Sequence, residues 1–307
     1  NDLWDLQSRR FKYFLAIFLL VKELLNREKK VVFAFQANIY CIIICKLFGV
    51  KVIVRSNSAP IGWSQNFVKK KIFKFFLNKA DQVMVNSLDF KNNFKKEFNV
   101  KAKCIYNPLN KKEILLKAKN KSFNFFKSKN KLKILNIGRF TEQKDQLTLL
   151  KSLKLIRDRV DFEAIIVGRG ILKESLVNYV NRNNLNGCIK IVNFLKNPYP
   201  IFKQSELFIL TSRYEGLPNV LLESLVLNKF IISSNCQTGP KEILLNGKGG
   251  ILFKVGDYKS LAEKIVFFSK NKTFCNKKLA IARKHLERFD YKKNLKKYLD
   301  LVNSIYN

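Results

Sequence analysis

Short β-branched runs alternate with helical stretches along almost the whole chain, and this alternation limits the fold more than any other feature. Lys30–Phe35, Val50–Val54, Asp81–Asn86 and Ala102–Tyr106 read as strands. Helices over Ser8–Asn26, Ile39–Phe48, Asn66–Lys79 and Leu88–Phe98 intervene, the second ended by Gly49. The pattern stops at Asn107-Pro108. Residues 109–131 are rich in Lys and Asn, and Leu116–Asn130 carries charge without apolar periodicity, as a surface connection would. The rhythm then restarts with strands at Leu132–Ile137, Phe162–Val167, Ile189–Phe194, Leu207–Leu210 and Phe230–Ser233. Helices are expected at Gln143–Arg157 and Leu172–Asn183, between the last three of these strands, and then at Ser260–Lys270, Phe274–Arg288 and Lys292–Ile305. Such alternation predicts α/β architecture with parallel sheets. Two runs flanking a polar connector predict two doubly wound domains, with ligands at the carboxyl ends of the strands.

We place the first domain over 1–110, the second over 111–288 and a C-terminal helix over 289–307. The length of 307 residues suits this division, at roughly 100–200 residues per domain. Hydrophobic residues make up 47% of the chain, enough for real cores, which excludes a disordered tail or a collagen-like fibre. Six cysteines without a C-x-x-C pair sit mostly in apolar runs and read as reduced thiols. The sole histidine, His285, gives no support to a His/Cys zinc site or a Ser-His-Asp triad. No apolar run reaches the ~18–20 residues of a membrane-spanning helix. Tyr13–Val21 follows basic residues as a leader's apolar region would, but Lys22-Glu23-Leu24-Leu25 continues the helix and no cleavage site follows. The net charge of +36 attracts anions: nucleic acid, acidic lipid or a phosphorylated substrate. The abundance of Lys, Asn, Ile and Phe is also what an AT-rich coding bias would produce.

Three loops after strands carry candidate chemistry. Gly138-Arg139-Phe140-Thr141-Glu142-Gln143-Lys144 opens a helix and sets two cations beside its start, a phosphate-binding arrangement. Its plainer reading is a turn glycine with two solvated charges. Val167-Gly168-Arg169-Gly170 is either a second cradle or a tight turn; it lacks the third glycine of the dinucleotide fingerprint. Thr211–Glu223 is the richest segment. Glu215 precedes a helix with Pro218 in its first turn, and Glu223 lies inside that helix. Two carboxylates accept hydroxyl hydrogens, and the N–H groups near Gly216–Asn219 suit an anion between them. Sugar hydroxyls, phosphate and ribose hydroxyls together describe a sugar nucleotide.

Glu215 and Glu223, with seven residues between them, match the E-x7-E motif of retaining glycosyltransferases. The surrounding segments resemble glycosyltransferase family 4 in order: Gly138-Arg139-Phe140 with Lys144, Val167-Gly168-Arg169-Gly170, Asn197-Pro198-Tyr199-Pro200, Glu215-Gly216-Leu217-Pro218-Asn219, Gly239-Pro240-Lys241-Glu242 and Gly256-Asp257. The ordered set covers about 130–270 and weakens before Asn107. The resemblance implies the GT-B fold, two Rossmann-like domains facing a cleft, with a C-terminal helix returning to the first. It implies that Arg139 and Lys144 hold the donor diphosphate and that Glu223 holds the ribose hydroxyls. Glu215 then contacts the transferred sugar, and the backbone of Gly216, Leu217, Pro218 and Asn219, with Gly138 and Gly168, completes the donor site. Glu215, Arg139 and Lys144 are the catalytic candidates.

Two features depart from the family pattern. Members usually begin with a strand and a Gly-rich loop, and nothing before Leu3 supplies them, so the first domain is expected to be incomplete at its start. Many members also carry a histidine after the strand matching Val50–Val54; here Arg55-Ser56-Asn57-Ser58 stands there, leaving Arg55 or Asn57 to orient substrate.

The resemblance implies retaining transfer of a hexosyl or N-acetylhexosaminyl group from a UDP-sugar to a lipid-linked glycan or a surface polysaccharide precursor. No cofactor or metal is expected, since the chain has no D-x-D. The expected partners are the donor, the acceptor and an anionic membrane surface, not nucleic acid, at the inner face of the cytoplasmic membrane. Asn66–Lys79 would be the contact, with Phe73, Phe76 and Leu77 on one face and Lys70, Lys71, Lys74 and Lys79 rimming it; a core helix with solvated lysines is the plainer reading. The rival function is a non-catalytic basic protein binding nucleic acid or an anionic surface through Lys69-Lys70-Lys71 and the neighbouring Phe67, Phe73, Phe75 and Phe76. A binder has no need of Glu215 and Glu223 together with Arg139 and Lys144.

Overall fold

A computed structural model describes residues 8–26, 28–56, 66–120 and 124–307. The chain divides into two compact units. One takes the chain up to Tyr106 and again from Lys292; the other runs Asn107–Tyr291.

The first unit is built on four parallel strands, β1 (Val31–Ala34), β2 (Lys51–Ser56), β3 (Gln82–Val85) and β4 (Ala102–Cys104), in the order β1-β2-β3-β4. Each strand is laid beside the one before it, so right-handed crossovers put the connecting helices on one face of the sheet. Alternation along the strands decides what each face offers. Val52, Val54, Val83 and Val85 point toward Ile42, Leu77, Phe90, Phe94 and Phe98 of the crossover helices. Ile53, Met84 and Ile105 face the other way and are covered by Leu301, Tyr298, Val302 and Ile305 of the last helix, Tyr291–Tyr306. Helix starts follow side-chain caps: Ser8 accepts from Phe11 N, Asn66 from Lys69 N and Ser87 from Phe90 N.

The helix Phe67–Leu77 corrects one expectation. Phe73, Phe76 and Leu77, read as an interfacial face, pack into the core, because they share the helix side turned toward Ile42 and Cys45. The outward side carries Phe67 at 69% exposure, Val68, Ile72 and Phe75 at 59%. Lys71 lies over the Phe67 ring at 4.4 Å and Lys79 over Phe75 at 5.5 Å. Lys70 is not a spare cation: it pairs with Glu97 at 2.7 Å.

The second unit holds six parallel strands, β5 (Leu132–Ile137), β6 (Phe162–Gly168), β7 (Ile189–Asn193), β8 (Leu207–Leu210), β9 (Phe230–Ser234) and β10 (Ile251–Phe253). Their order is β10-β9-β8-β5-β6-β7. The chain starts in the middle at β5, winds outward through β6 and β7, then returns to β8 on the other flank of β5. That reversal is the topological switch of a doubly wound sheet, and the loops after β5 and β8 meet beyond it. The helices Tyr199–Gln204 and Asn219–Val226 fill the two intervals between the later strands where helices are expected. The strand β10 and the helices Lys111–Lys117 and Pro240–Ile243 are additions to the elements expected from sequence.

Candidate functional site

The loop after β5 carries Arg139 and Lys144, and the loop after β8 carries Glu215. About 70 residues of sequence separate them, and the switch brings them into contact. Lys144 Nζ donates to Glu215 Oε1 at 2.5 Å, with the two side chains 17% and 8% exposed. The loops are stitched along their length. Thr211 Oγ1 donates to Lys144 O at 2.8 Å, Arg213 N to Gln143 O at 2.8 Å, and Gln143 Nε2 to Tyr214 O at 3.0 Å. Ser212 Oγ also donates to Glu215 Oε1, at 2.6 Å, and Thr238 Oγ1 donates to the Glu215 carbonyl. A carboxylate this buried needs such donors to offset its lost hydration.

The helix after the first loop begins later than the sequence pattern suggests. It spans Gln146–Ile156, and Asp145 caps it from a left-handed conformation at φ 47°. Asp145 accepts from Thr148 N and Thr148 Oγ1, and Arg213 Nε lies 3.3 Å from its carboxylate. This helix start is therefore closed by its own carboxylate, and Arg139 and Lys144 act as side-chain cations without a helix end behind them. The open end belongs to Asn219–Val226, whose cap residue Pro218 offers no side-chain hydrogen bond. Its first turn lies beside the buried Gly216, Leu217 and Pro218, and a helix start without a side-chain cap is backbone of the kind that can receive an anion. Gly239, at φ 85°, closes against this loop: a Cβ there would lie 2.3 Å from Gly216 O.

The glycines of the other two turns also sort themselves. A Cβ on Gly138 would meet Lys144 and Gln146 side-chain atoms at 3.4–3.5 Å, ordinary contact. On Gly168 it would lie 2.0 Å from Gly138 O, and on Gly170 2.3 Å from Phe140 O. Gly168 and Gly170 are thus required by the close passage of the neighbouring loop, which is the tight-turn reading of that segment.

Arg139 is exposed and donates to Gln143 Oε1 at 3.1 Å. Glu223 stands apart from the Lys144–Glu215 pair. It accepts from Tyr199 Oη at 3.4 Å and lines a cavity of 170 Å³ with Asn107, Asn110, Tyr199, Asn219 and Leu222. Asn107 Nδ2 donates to Asn219 Oδ1 at 2.6 Å across that cavity. Burial raises the Glu223 carboxyl above the ordinary range against the opposing hydrogen bond from Tyr199. Burial first, then the Glu223 and Glu113 charges, push Tyr199 up to about 12. Burial, with the nearby Glu215 charge, pushes the Cys236 thiol up to about 12, so it stays protonated. The cysteines are free thiols. In the first unit Arg55 lies over the rings of Phe35 and Tyr298 at 5.5 and 5.7 Å, and burial lowers its pKa. Asn57, the other candidate, lies outside the described residues.

Sequence reasoning missed Ser212, Thr238, Tyr199 and Asp145. Tyr199 stood inside a matched segment, Asn197–Pro200, and its hydroxyl was the available signal. Asp145, immediately after Lys144, had the residue type of an N-cap.

The family model described as Glycosyl transferases group 1 matches residues 117–285. A glycosyltransferase of Methanocaldococcus jannaschii, MJ1059, is 41% identical over 117 residues, 38% of this chain and 29% of that protein. A Campylobacter jejuni protein is 26% identical over 247 residues, 77% of this chain and 66% of that one. It is named N-acetylgalactosamine-N,N'-diacetylbacillosaminyl-diphospho-undecaprenol 4-alpha-N-acetylgalactosaminyltransferase. The chain thus spans less than two thirds of the length of each of these relatives. Among solved structures, Anabaena HepE in complex with UDP superposes with a TM-score of 0.78 at 17% identity, covering 94% of this chain and 82% of that one. At that identity the likeness concerns the fold.

Proposed function

The chain belongs to the glycosyl transferases group 1 family, and from that premise we propose a retaining transfer of sugar from a nucleotide-sugar, UDP-linked, to a hydroxyl of a lipid-linked glycan or surface polysaccharide precursor. The observation that carries the reading is the contact of Lys144 with Glu215 at the β5/β8 switch. It joins a phosphate-binding cation to a hydroxyl-binding carboxylate at one point. Arg139 and Lys144 offset the charge that grows on the departing diphosphate, and the first turn of Asn219–Val226 receives its oxygens. Glu215 accepts from a hydroxyl of the transferred sugar, and Glu223, in the cavity with Tyr199 and Asn219, accepts from the ribose. The acceptor hydroxyl attacks from the face the diphosphate leaves, and the leaving phosphate takes its proton. The positive charge comes from side chains, so no metal is part of the reading. The transferred group is a hexosyl or N-acetylhexosaminyl unit; the Campylobacter relative's name specifies the latter. The test is mass spectrometry of products from a panel of sugar nucleotides, run with and without EDTA. Transfer that depends on added Mn²⁺ would place the diphosphate in a different kind of site.

Burial at Glu223 sets a trade-off. Its folded-state pKa lies above its unfolded value, so the fold favours the neutral form. Stability then declines as pH rises from the ordinary carboxylate range through the raised value, and the cost of the buried charge persists at neutral pH. Glu223→Gln is expected to melt at a higher temperature than wild type at pH 7 and to bind UDP about tenfold more weakly, the loss of a hydrogen bond to a charged group. Calorimetry and UDP titration check both arms; a variant that melts lower, or binds UDP as wild type does, contradicts the assignment.

The acceptor is met at the inner face of the cytoplasmic membrane, through the outward side of Phe67–Leu77. No helix among the described residues is long and apolar enough to cross a membrane. Phe67, Val68, Ile72 and Phe75 form an exposed apolar strip beside Lys69, Lys71, Lys74 and Lys79. Each lysine near an anionic leaflet contributes about 1 kcal/mol. Replacing these four lysines by Gln is expected to reduce co-sedimentation with phosphatidylglycerol vesicles at least tenfold at low salt, with UDP binding unchanged. Sedimentation equal to wild type would remove this helix from the contact.

A further inference from the structure

We propose that Ser212 is a positioning residue whose hydroxyl fixes the Glu215 carboxylate so that one oxygen, Oε2, is presented to the donor sugar. The proposal rests on the reading of this site as a nucleotide-sugar site.

Both donors to the Glu215 side chain converge on Oε1: Ser212 Oγ at 2.6 Å and Lys144 Nζ at 2.5 Å. Among the described residues no hydrogen bond reaches Oε2. A carboxylate with both donors on one oxygen has its torsion fixed, and its other oxygen keeps its acceptor capacity for a ligand. Lys144 alone is a poor fixture. Its ammonium sits on a flexible four-carbon stem and is shared with the diphosphate in the proposed site. Ser212 has a short side chain, is fully buried, and is held by its own backbone: Ser234 Oγ donates to Ser212 O at 2.6 Å. The Glu215 backbone is held independently by Thr238 Oγ1 on its carbonyl. Thr211, Ser212, Ser234 and Thr238 are all fully buried, and their hydroxyls tie three separate segments around Glu215. Ser212 is the one whose bond ends on the carboxylate, so its loss frees the side chain while the backbone ties remain.

The experiment compares binding of UDP with binding of UDP-glucose, UDP-galactose, UDP-N-acetylglucosamine and UDP-N-acetylgalactosamine by calorimetry. The quantity read is the affinity that the sugar adds over UDP alone, for the tightest-bound sugar nucleotide. Ser212→Ala is expected to reduce that added affinity about tenfold, the worth of a hydrogen bond to a charged group, and to leave UDP affinity within twofold. In a Glu215→Ala background the same substitution should change nothing further. Ser152→Ala removes another buried hydroxyl, one that bonds only Leu149 O in its own helix, and should leave the ratio unchanged. Equal weakening of UDP and UDP-sugar by Ser212→Ala would mean a general collapse of the loop and would overturn the proposal. So would an unchanged ratio, or a wild type that binds no UDP-sugar more tightly than UDP. A wild type that binds none of the five ligands would refute the UDP-linked donor reading on which the proposal rests.

Discussion

Glu215→Ala is expected to lower sugar transfer by about 10²–10³-fold, the scale of losing one preorganised group that acts in the transition state, while UDP affinity holds or rises. The two effects part company because of what Glu215 touches. Its side chain is 8% exposed and its carboxylate takes the Lys144 ammonium on Oε1. Removing it deletes the acceptor proposed for the sugar hydroxyl, and the transferred group loses its orientation. It also releases Lys144, which can then give its whole charge to the diphosphate. Lys144→Ala should behave in the opposite way. It leaves a buried carboxylate beside the diphosphate with one cation fewer, so UDP itself should bind at least tenfold more weakly. Single-turnover rates and UDP titrations on both variants separate the roles. A Glu215→Ala enzyme that transfers sugar at the wild-type rate takes Glu215 out of the reaction.

The parts of this site that were legible in the sequence are those whose signal is local. Short apolar runs bounded by polar turns located Leu132–Ile137 and Leu207–Leu210 to the residue, and the expected helix Leu88–Phe98 has the same bounds in the structure, where Ser87 caps it and Phe90, Phe94 and Phe98 are buried. Strand β10 escaped because it has only three residues, one of them buried, and no alternation to read. The helix Lys111–Lys117 hid in a Lys-rich stretch whose cap, Asn110, accepting from Glu113 N, was the only cue.

That Lys144 and Glu215 belong to one site was implied by the family resemblance, but their direct contact was not anticipated. Composition and spacing do not fix which strand neighbours which, and the contact exists because β8 returns to the flank of β5. The closed helix end at Asp145 was misread for a different reason. A left-handed residue that is not glycine breaks no hydrophobic pattern, so the helix was started three residues early. Faces were harder still. On Phe67–Leu77 apolar residues occupy both sides, and the pattern alone does not say which side meets the core; packing on Ile42 and Cys45 decides it.

Gly168→Ala is expected to cost about 3 kcal/mol, the upper part of the range for forcing extra volume into a packed site, and to weaken UDP binding in what folded protein remains. At about 2–4 °C per kcal/mol for a unit of this size, the melting temperature should fall by roughly 6–12 °C. The reason is geometric. The added methyl would lie 2.0 Å from Gly138 O, 3.1 Å from Gly138 C and 2.8 Å from Phe140 Cε1. Two of those atoms are backbone, so no rotamer change relieves the clash. Gly168 cannot retreat, because it is the last residue of β6 and is paired with Asn193 of β7. Gly138 must move instead, yet its N–H bonds Val167 O at 3.0 Å, and Phe140 N bonds Arg169 O at 2.9 Å. The strain therefore passes into the loop that carries Arg139 and Lys144, and through Lys144 to Glu215. Stability and donor binding should fall together, unlike Glu223→Gln, where they move in opposite directions. Gly187→Ala is the matched control, since a Cβ there meets nothing within 4 Å. If Gly168→Ala melts within 2 °C of that control, the close passage of the two loops is not what this glycine serves.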